Sequence, residues 1–382
     1  MNIDINMQDH IKQPAILINY TGRRGGGPLA AYEMTKALAE RGNSVVAVIS
    51  RDIENLSCWK QLPLKRLLVI PTYSSAISFV YSHILFLLFR KYAIRERLKE
   101  YDITAIYCPM CTFWTRPINQ LFPKAKKIIA CHDPVPHSGE KYTIVNWLCG
   151  VDRAYQAADE IIVHTEKFIC DVEKRYKKRD HVHYLPFGRP DYYKKIGIKR
   201  IAVRYRQDTM NFIFFGRISQ YKGLDLLAEA YQLVSARYSR VTLTIAGDGD
   251  FTPYRKRYRQ LHHVTVINRW ICDDEVESIF TGKNLIAVLP YADATQSGVA
   301  LVAMNYGVPV IATDTGGLSE QIEDGVTGIL VPPGDSRKLA EKMAMLMEDK
   351  RLYQKICENV KSRSGQMEWK DAAARLEKIV QG

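Results

Sequence analysis

The sequence has no apolar run long enough to cross a membrane. Its longest apolar run, residues 76–89, covers 14 residues and includes Ser78, Ser82 and His83, whereas a membrane-spanning helix takes about 20 apolar residues. Residues 1–9 are polar and acidic, so the sequence predicts no secretory signal peptide. We therefore expect a cytoplasmic protein, placed at most at the inner face of the plasma membrane.

Cysteine and metal-ligand patterns are also sparse. Eight cysteines in 382 residues form no regular framework, which excludes a disulfide-rich secreted domain and predicts reduced thiols. Cys108 and Cys111 match a CxxC pattern, but no second pair completes a zinc site, so we interpret them as buried or loop thiols. No DxD-like pair of carboxylates stands in a setting suited to a metal. The sequence predicts neither a metal nor a bound cofactor.

The composition indicates neither disorder nor nucleic-acid binding. Apolar residues make up 47% of the chain and charged residues 25%, the balance of a globular protein. Basic residues outnumber acidic ones by 54 to 41, and residues 1–200 hold 31 of the basic and 19 of the acidic side chains. The first half therefore meets an anionic partner or carries a basic solvated face. No stacking platform or known module supports a nucleic-acid partner.

Short β-branched runs alternate with segments of helical period along most of the chain. Near-continuous apolar strands separated by helices are typical of parallel sheets covered on both faces. The predicted strands are residues 15–20, 44–50, 66–70, 103–107, 127–131 and 160–164, then 211–215, 241–246, 264–267, 284–289 and 308–313. The predicted helices are residues 28–41, 76–100, 141–157, 166–176, 335–348, 351–364 and 368–380.

This pattern predicts an α/β protein with two Rossmann-like, doubly wound domains that face a cleft. A chain of this length holds two or three domains, and the charge-rich stretch between the two series of strands is the natural linker. We place the first domain at residues 1–190, the linker at 191–208 and the second domain at 209–364. Ligands are expected at the carboxyl ends of the strands.

A glycine-rich segment, residues 22–28, directly follows the first predicted strand. Glycine lets the backbone approach a ligand closely, and amides at a helix N-terminus attract anions, so Gly26 and Gly27 are candidate ligand-binding residues. Two alternatives stay open. The spacing from Gly25 also fits a dinucleotide fingerprint, with Asp52 for the ribose of NAD in an NAD-dependent oxidoreductase. The segment is otherwise a tight turn with no ligand.

A second candidate anion site follows the strand that opens the second domain. Gly216 allows a sharp turn at the strand end, and Arg217 and Lys222 then place two cations on one loop. Two fixed positive groups at the carboxyl end of a strand can clamp a pyrophosphate, the arginine with two parallel hydrogen bonds. The alternative interpretation is an exposed pair of basic residues.

A third segment is small and polar and lies between a predicted strand and a predicted helix. The N-terminus of such a helix presents backbone amides to an anion. It follows a strand of the same predicted sheet as the Arg217 loop, so we expect both at one sheet edge. Its residues are Thr295, Gln296, Ser297, Gly298 and Val299.

The second half holds an ordered series of motifs. They are Gly216-Arg217 with Lys222-Gly223, Gly247-Asp248-Gly249, Tyr306-Gly307-Val308-Pro309-Val310, Gly316-Gly317 with Glu320, and Asp324-Gly325 with Gly328 and Pro333-Gly334-Asp335. This series resembles family 4 glycosyltransferases over nearly all of residues 211–335. The first half matches more loosely, through its glycine loop, residues 37–42 and Cys131-His132-Asp133. The resemblance implies the GT-B architecture, a nucleotide-sugar donor, transfer with retention of anomeric configuration, and a final helix, residues 365–382, that packs back on the first domain.

The resemblance also implies roles for individual residues. The base and ribose of the donor would lie near Gly247 and Arg269-Trp270, and the departing diphosphate near the two cations. His132 would contact the donor sugar through its backbone carbonyl or its imidazole; a core or surface histidine is the alternative. The candidate catalytic residues are Arg217, Lys222 and His132, and the candidate donor-binding residues are Gly26, Gly27, Gly216, Gly247, Arg269, Trp270, Thr295, Gln296, Ser297, Gly298, Val299 and Glu320.

The sequence departs from the family at two positions. Two glutamates separated by seven residues usually follow the strand that ends near Pro290, and the alignment places Ala294 and Val302 there. In the family, the first contacts the donor sugar and the second the nucleotide ribose. With both missing, no side chain is a candidate covalent nucleophile, and we expect a front-face displacement. A non-catalytic homologue that binds a nucleotide sugar stays an alternative.

The predicted function is therefore metal-independent hexosyl transfer from a nucleotide-diphosphate sugar to a glycan or lipid-linked acceptor, in surface polysaccharide or lipopolysaccharide biosynthesis. Residues 76–99 combine an apolar run with a basic end. Such a helix can lie on a membrane surface, although a buried helix with a charged end fits equally well. We expect peripheral contact of the basic first half with an anionic membrane.

Overall fold

Two parallel sheets, one in each half of the chain, organise the protein. The structure is a computed structural model. It describes residues 12–73, 76–134, 150–194, 196, 199–201, 205–206, 208–363 and 368–382.

The first sheet has seven strands: β1 (Gln13–Tyr20), β2 (Val45–Ser50), β3 (Arg66–Ile70), β4 (Tyr101–Cys108), β5 (Lys126–Cys131), β6 (Glu160–Val163) and β7 (Val182–Tyr184). They are parallel and run in the order β3-β2-β1-β4-β5-β6-β7. Alternate residues of β1 enter different cores, Leu17 with Phe86 on one face and Ile18 with Met34 on the other. The strands are apolar throughout because both faces of the sheet are covered.

Helices α1 to α7 accompany the first sheet. A π-helical turn, Phe86–Arg90, joins α3 to α4, and 3₁₀ turns occur at Glu166–Phe168 and Asp191–Lys194. The helices are α1 (Gly26–Glu40), α2 (Leu56–Trp59), α3 (Ala76–Leu85), α4 (Lys91–Arg97), α5 (Thr115–Asn119), α6 (Val151–Gln156) and α7 (Ile169–Tyr176).

The second sheet has six parallel strands: β8 (Met210–Phe215), β9 (Val241–Gly247), β10 (Val264–Asn268), β11 (Leu285–Leu289), β12 (Val310–Thr313) and β13 (Gly328–Val331). Their order is β10-β9-β8-β11-β12-β13. A 3₁₀ turn covers Gln220–Lys222. The helices are α8 (Leu224–Arg237), α9 (Arg255–Tyr258), α10 (Asp273–Phe280), α11 (Gly298–Asn305), α12 (Leu318–Gln321), α13 (Ser336–Glu348), α14 (Lys350–Arg363) and α15 (Trp369–Gln381).

The two sheets confirm the prediction of two doubly wound α/β domains. Each predicted strand is present, with ends within two residues of those expected. The pattern does not predict β7 and β13, because strands of three and four residues show no period. The single helix predicted over 76–100 is divided by the π-helical turn and ends at Arg97. Residues 141–149 of the helix predicted over 141–157 lie outside the described residues.

The last helix, α15, packs on the first domain. It contacts α1, and Leu376 is buried in the same core as Met34. An ion pair joins Arg41 to Glu377 with 2.7 Å between nitrogen and oxygen, and the indole of Trp369 donates to the backbone of residue 189. None of the helices just described combines the length and the apolar composition that crossing a bilayer requires.

Candidate active site

Loops at the carboxyl ends of the two sheets meet and are hydrogen-bonded to each other. The first sheet contributes the segments after β1, β5 and β6, and the second those after β8, β11 and β12. Parallel strands end at one edge of a sheet, so residues distant in sequence gather there. Side chains of Thr295 and Gln296 reach Asp133 and His132 in the first domain. The candidate site lies where these loops meet.

Lys222 is held beside the turn that carries Ser297. Its Nζ atom lies 3.7 Å from the ring centre of Tyr291, a buried residue shortly after β11. The hydroxyl of Tyr291 lies 3.5 Å from Oγ of Ser297, and the amide of Ala292 donates to the carbonyl of Tyr221 at 2.7 Å. An ammonium over an aromatic face is stabilised electrostatically. The cation is therefore positioned next to the turn predicted to bind the diphosphate.

Gly216 and Gly247 are in close contact at neighbouring strand ends. A Cβ atom on Gly247 would come within 1.8 Å of the Gly216 carbonyl oxygen, and one on Gly216 would lie 3.2 Å from Val299. Gly216 has a φ of 120°, which favours glycine. These glycines bring the loop of Arg217, whose side chain is exposed, against the first turn of α11. Their packing role is clear, and their predicted contact with a donor stays a prediction.

The predicted anion-binding turn forms the N-terminus of α11. Oγ of Ser297 caps the helix by accepting from the amide of Ala300 at 3.3 Å. The amide of Ser297 itself donates to Oε1 of Gln321 at 2.8 Å. Because the amide of Ser297 is already hydrogen-bonded to Gln321, the backbone amides of Gln296, Gly298 and Val299 are the candidates for binding an anion.

Three hydrogen bonds join this turn to the first domain. Oγ1 of Thr295 donates to Oδ1 of Asp133 at 2.6 Å, and Nε2 of Gln296 donates to Nδ1 of His132 at 2.9 Å. The carbonyl of Thr295 accepts from Oγ1 of Thr165 at 2.9 Å. Thr295 is only 3% exposed. The structure therefore brings the predicted residues Thr295, Gln296 and His132 together across the domain boundary.

His132 is held as a neutral ring. Its Nε2 lies 2.7 Å from the carbonyl of Pro109, which can only accept, so Nε2 carries the proton and Nδ1 accepts from Gln296. Burial lowers the pKa of His132, and burial together with His132 lowers the pKa of neighbouring His164 to about 3. Because both ring nitrogens of His132 are bonded, the predicted contact with the donor sugar is left to its backbone carbonyl.

Glu320 also contacts the first domain. Its carboxylate oxygens accept from the backbone amides of Glu166 at 2.8 Å and Lys167 at 3.1 Å. Gly317 lies close to the neighbouring hydrogen bond between Thr165 and Thr295, since a Cβ atom there would come within 2.3 Å of the carbonyl oxygen of Thr295. In this structure Glu320 joins the domains, and its predicted donor-binding role stays a prediction.

The glycine loop covers the buried ring of Tyr20. A Cβ atom on Gly22 or Gly27 would lie 2.2 Å or 2.3 Å from the Tyr20 hydroxyl, so packing requires both glycines. No atom lies within 4 Å of a Cβ position on Gly26, where α1 begins. Gly26 is therefore open to a ligand, whereas the space around Gly27 is filled by protein.

The two residues predicted to lie near the base and ribose of the donor have different surroundings. The guanidinium of Arg269 donates to both carboxylate oxygens of buried Glu275, at 2.7 Å and 3.0 Å. This pair stabilises the start of α10. Trp270 faces the glycine loop instead, and the guanidinium of Arg24 lies 5.7 Å from its ring centre. Trp270 thus belongs to the domain boundary, whereas Arg269 is engaged by its own domain.

Glu54 lies at the same boundary, although sequence reasoning does not assign it. Its half-buried carboxyl hydrogen-bonds with the backbone of Gly25 and the indole of Trp270, and it faces the carboxyl of Asp273. Burial, followed by the charge of Asp273, raises the pKa of Glu54 to about 8. Burial raises the pKa of Asp273 to about 6. The folded protein therefore favours a protonated Glu54.

Replacing Glu54 by glutamine should flatten the pH dependence of stability. A raised pKa in the folded state gives a contribution that is complete below the ordinary value of 4.5 and lost as the pH rises through about 8. A shift of about 3.5 pKa units, at about 1.4 kcal/mol each, corresponds to about 5 kcal/mol. Because the carboxyl is only half-buried, solvent screening reduces the expected loss in the wild type to on the order of 1–3 kcal/mol over this window. Denaturant unfolding at pH 5, 7 and 9 measures it, with Asp52→Asn as an exposed control. An unchanged profile in Glu54→Gln would contradict the prediction.

The positions without glutamates are buried in the second domain. Ala294 and Val302 are each 5% exposed and belong to its hydrophobic core, so no carboxylate reaches the cleft from them. Within the described ranges, no group of three His, Cys, Asp or Glu side chains is arranged to hold a metal ion.

Sequence reasoning does not assign four residues that the structure places at the site: Glu54, Asp133, Thr165 and Gln321. The first three lie within four residues of the ends of β2, β5 and β6. Their position shortly after a parallel strand is the sequence signal from which they could have been predicted. Gln321 has no such signal, because it reaches Ser297 only through the packing of α12 against α11.

The second domain matches a known family. Residues 209–349 match the family described as Glycosyl transferases group 1. The match confirms the resemblance that the motifs indicate. The loss of the family's glutamate pair at Ala294 and Val302 stays a prediction from the sequence.

Two relatives that are named as glycosyl-transferring enzymes match part of the chain. Alpha-D-kanosaminyltransferase of Streptomyces kanamyceticus is 29% identical over 54% of this chain and 55% of that protein. Lipopolysaccharide 1,2-N-acetylglucosaminetransferase of Salmonella typhimurium is 27% identical over 47% and 50%. The chain thus spans about half the length of these curated relatives.

Similarity to solved structures extends over nearly the full length of the chain. HepE from Anabaena, solved in complex with UDP and glucose, is similar with a TM-score of 0.72 and 16% identity, over 96% of this chain and 99% of that one. WaaG, described as involved in lipopolysaccharide biosynthesis, gives a TM-score of 0.66 and 17% identity over 97% and 100%. At these identities the likeness shows the fold, and it confirms the GT-B architecture of two Rossmann-like domains.

Proposed function

We propose that the chain is a metal-independent glycosyltransferase of hexosyl type. It transfers a sugar from a nucleotide-diphosphate donor to a glycan or lipid-linked acceptor, with retention of anomeric configuration. The observation that carries this proposal is the position of Lys222 beside the N-terminus of α11, at the edge where both domains meet. The group 1 family supports it, as does the UDP and glucose bound by the structural neighbour HepE.

The residues of the site suit the charge changes of this reaction. Breaking the bond between the anomeric carbon and the donor phosphate puts negative charge on the departing diphosphate. Lys222, Arg217 and the amides at the start of α11 would stabilise that charge. The acceptor oxygen bonds to the anomeric carbon from the same face and passes its proton to the diphosphate. This course needs no enzymic nucleophile, which suits a site with Ala294 and Val302 in place of carboxylates.

The names of two relatives support the biological setting that we propose. One relative acts on lipopolysaccharide by its name, and another is named O-antigen chain mannosyltransferase C, from Escherichia coli, 24% identical over 70% of this chain and 71% of that protein. We therefore place this enzyme in surface polysaccharide or lipopolysaccharide biosynthesis. It would work in the cytoplasm at the inner face of the plasma membrane, where its basic first half meets anionic lipid.

Two other functions are distinguished by specific observations. The missing glutamates favour a homologue that binds a nucleotide sugar without transferring it. The oxidoreductase alternative needs Asp52 at the ribose of NAD, but the Asp52 carboxylate accepts from Thr72 at 3.4 Å and lies 3.8 Å from Arg51. These contacts hold Asp52 within its own strand-end region and favour glycosyl transfer over that alternative.

A panel of UDP-, GDP- and dTDP-sugars tests the proposed function. The full chain, incubated with a membrane extract as the source of acceptor, should release the nucleoside diphosphate from one donor class, and EDTA should not reduce the rate. Stabilisation by a nucleotide without release would favour the non-catalytic homologue. Stabilisation by NAD, with no effect of the three diphosphates, would favour the oxidoreductase.

A further inference from the structure

The exposed large apolar side chains are concentrated on one helical segment. Among the described residues, eight such side chains are strongly exposed, and six of them lie between residues 80 and 92. Scattered single exposures need no explanation, whereas a contiguous set marks an interaction surface. We call this set the apolar face; it consists of Val80 (59% exposed), Tyr81 (66%), Ile84 (52%), Leu88 (58%), Phe89 (66%) and Tyr92 (56%).

The π-helical turn Phe86–Arg90 brings the side chains of the apolar face onto one side of the helical segment. In a regular α-helix with 3.6 residues per turn, Phe89 would point to the side opposite Val80. A turn closed by i→i+5 hydrogen bonds winds more slowly, and such turns are frequent at functional sites. The slower winding turns Phe89 back toward Tyr81, so that the exposed residues on both sides of the π-helical turn share one face.

The opposite side of this segment is anchored in the first domain. Phe86 stacks on Trp114 with ring centres 4.2 Å apart and planes at 4°. Trp114 is buried, and its indole donates to His83 at 3.1 Å. Ile94 is buried in the same core. Because this side is fixed, the apolar face cannot turn inward within this fold.

Basic residues flank the apolar face. Residues 90–99 contain five basic side chains and one acidic side chain, Glu96, and Arg95, Arg97 and Lys99 are exposed. Basic residues beside exposed aliphatic and tyrosine side chains are typical of a surface that enters the interface of an anionic bilayer. A second copy of this chain would bring the same positive charge against itself, so the charge favours lipid as the occupant.

The apolar segment is joined to the cleft. The guanidinium of Arg23, in the glycine loop, donates to the carbonyl of Tyr73 and lies 4.8 Å from the centre of its ring. The same ring contacts Phe79 in α3, with centres 4.8 Å apart. A surface bound through the apolar face would therefore lie near the glycine loop.

We infer that the apolar face docks on an anionic bilayer, with Leu88 and Phe89 entering the interface and the flanking basic side chains meeting lipid phosphates. The inference rests on the proposed function, since a docked enzyme would meet a lipid-linked acceptor beside Arg23. It narrows the proposed membrane contact of the basic first half to one helical face.

Vesicle sedimentation of the full chain tests this inference. Vesicles of equal parts phosphatidylglycerol and phosphatidylethanolamine should sediment the wild type, and vesicles of phosphatidylcholine alone should not. The double variant Leu88→Glu with Phe89→Glu should bind the anionic vesicles at least about tenfold less, because both apolar insertions are replaced by charges that the lipid repels. Leu233→Glu, at an exposed position of α8 (50% exposed), should bind like the wild type.

Three outcomes would overturn the inference. The wild type fails to sediment with anionic vesicles, the double variant sediments equally well, or size-exclusion chromatography shows that the face joins two copies and that the double variant is monomeric. The result is separable from the proposed function. Vesicle binding needs no donor, and diphosphate release from soluble donor needs no vesicle, so either proposal can fail while the other stands.

Discussion

Replacing Lys222 by alanine should lower turnover about 100-fold or more while leaving the fold intact. Its ammonium is already held over Tyr291, beside the turn of Ser297, where the diphosphate would develop charge. Removing one such pre-aimed donor typically costs ~10²–10³ in kcat, about 3–4 kcal/mol. The lost contact with the tyrosine ring is worth about 0.5–1 kcal/mol of stability, so unfolding should change little.

Matched variants separate charge from side-chain bulk at this position. Lys222→Arg keeps the charge and should retain more turnover than Lys222→Ala. Lys338→Ala removes an exposed lysine of α13 whose ammonium pairs with Glu341, and this variant should keep full turnover. Arg217→Ala should act in the same direction as Lys222→Ala. Diphosphate release measures turnover, and denaturant unfolding measures stability. Near wild-type turnover in Lys222→Ala would show that Lys222 does not stabilise the departing diphosphate.

The fold is predictable from the sequence because its strands are long apolar runs. Buried parallel strands such as β1 and β2 are apolar on both faces, so the run itself marks the strand. The same argument explains the failures at β7 and β13, which are too short to differ from a loop. The π-helical turn at Phe86–Arg90 leaves no periodic signal either, since apolar residues occupy both the buried and the exposed sides of that segment.

The candidate site is predictable only in part. Glycines that let backbones touch, such as Gly216 against Gly247, leave a spacing that the sequence shows. Residues that pair across the domain boundary leave no such spacing in the sequence. Thr295 and Asp133, for example, are brought together only by the packing of the two domains. The same holds for Glu54, whose pKa is raised first by burial and then by the charge of Asp273 from the other domain. Sequence reasoning therefore found the loops and missed the contacts between them.

The second large effect concerns Gly223, the residue after Lys222. Gly223 has a φ of 69°, and a Cβ atom on it would come within 1.8 Å of the carbonyl oxygen of Pro290. Alanine there should cost about 1–2 kcal/mol for the left-handed backbone and about 1–3 kcal/mol for the overlap. Since the overlap pushes the loop away from the strand end, the ammonium of Lys222 should leave Tyr291 and turnover should fall with stability.

The variant Gly334→Ala separates the cost of the left-handed backbone from the cost of the overlap with Pro290. Gly334 has a φ of 78°, but no atom lies within 4 Å of its Cβ position, so alanine there should show the backbone cost alone and leave turnover unchanged. Denaturant unfolding of both variants, followed by diphosphate release, gives the difference that belongs to Pro290. If Gly223→Ala were as stable and active as Gly334→Ala, the contact with Pro290 would not fix the loop, and the position of Lys222 would need another cause.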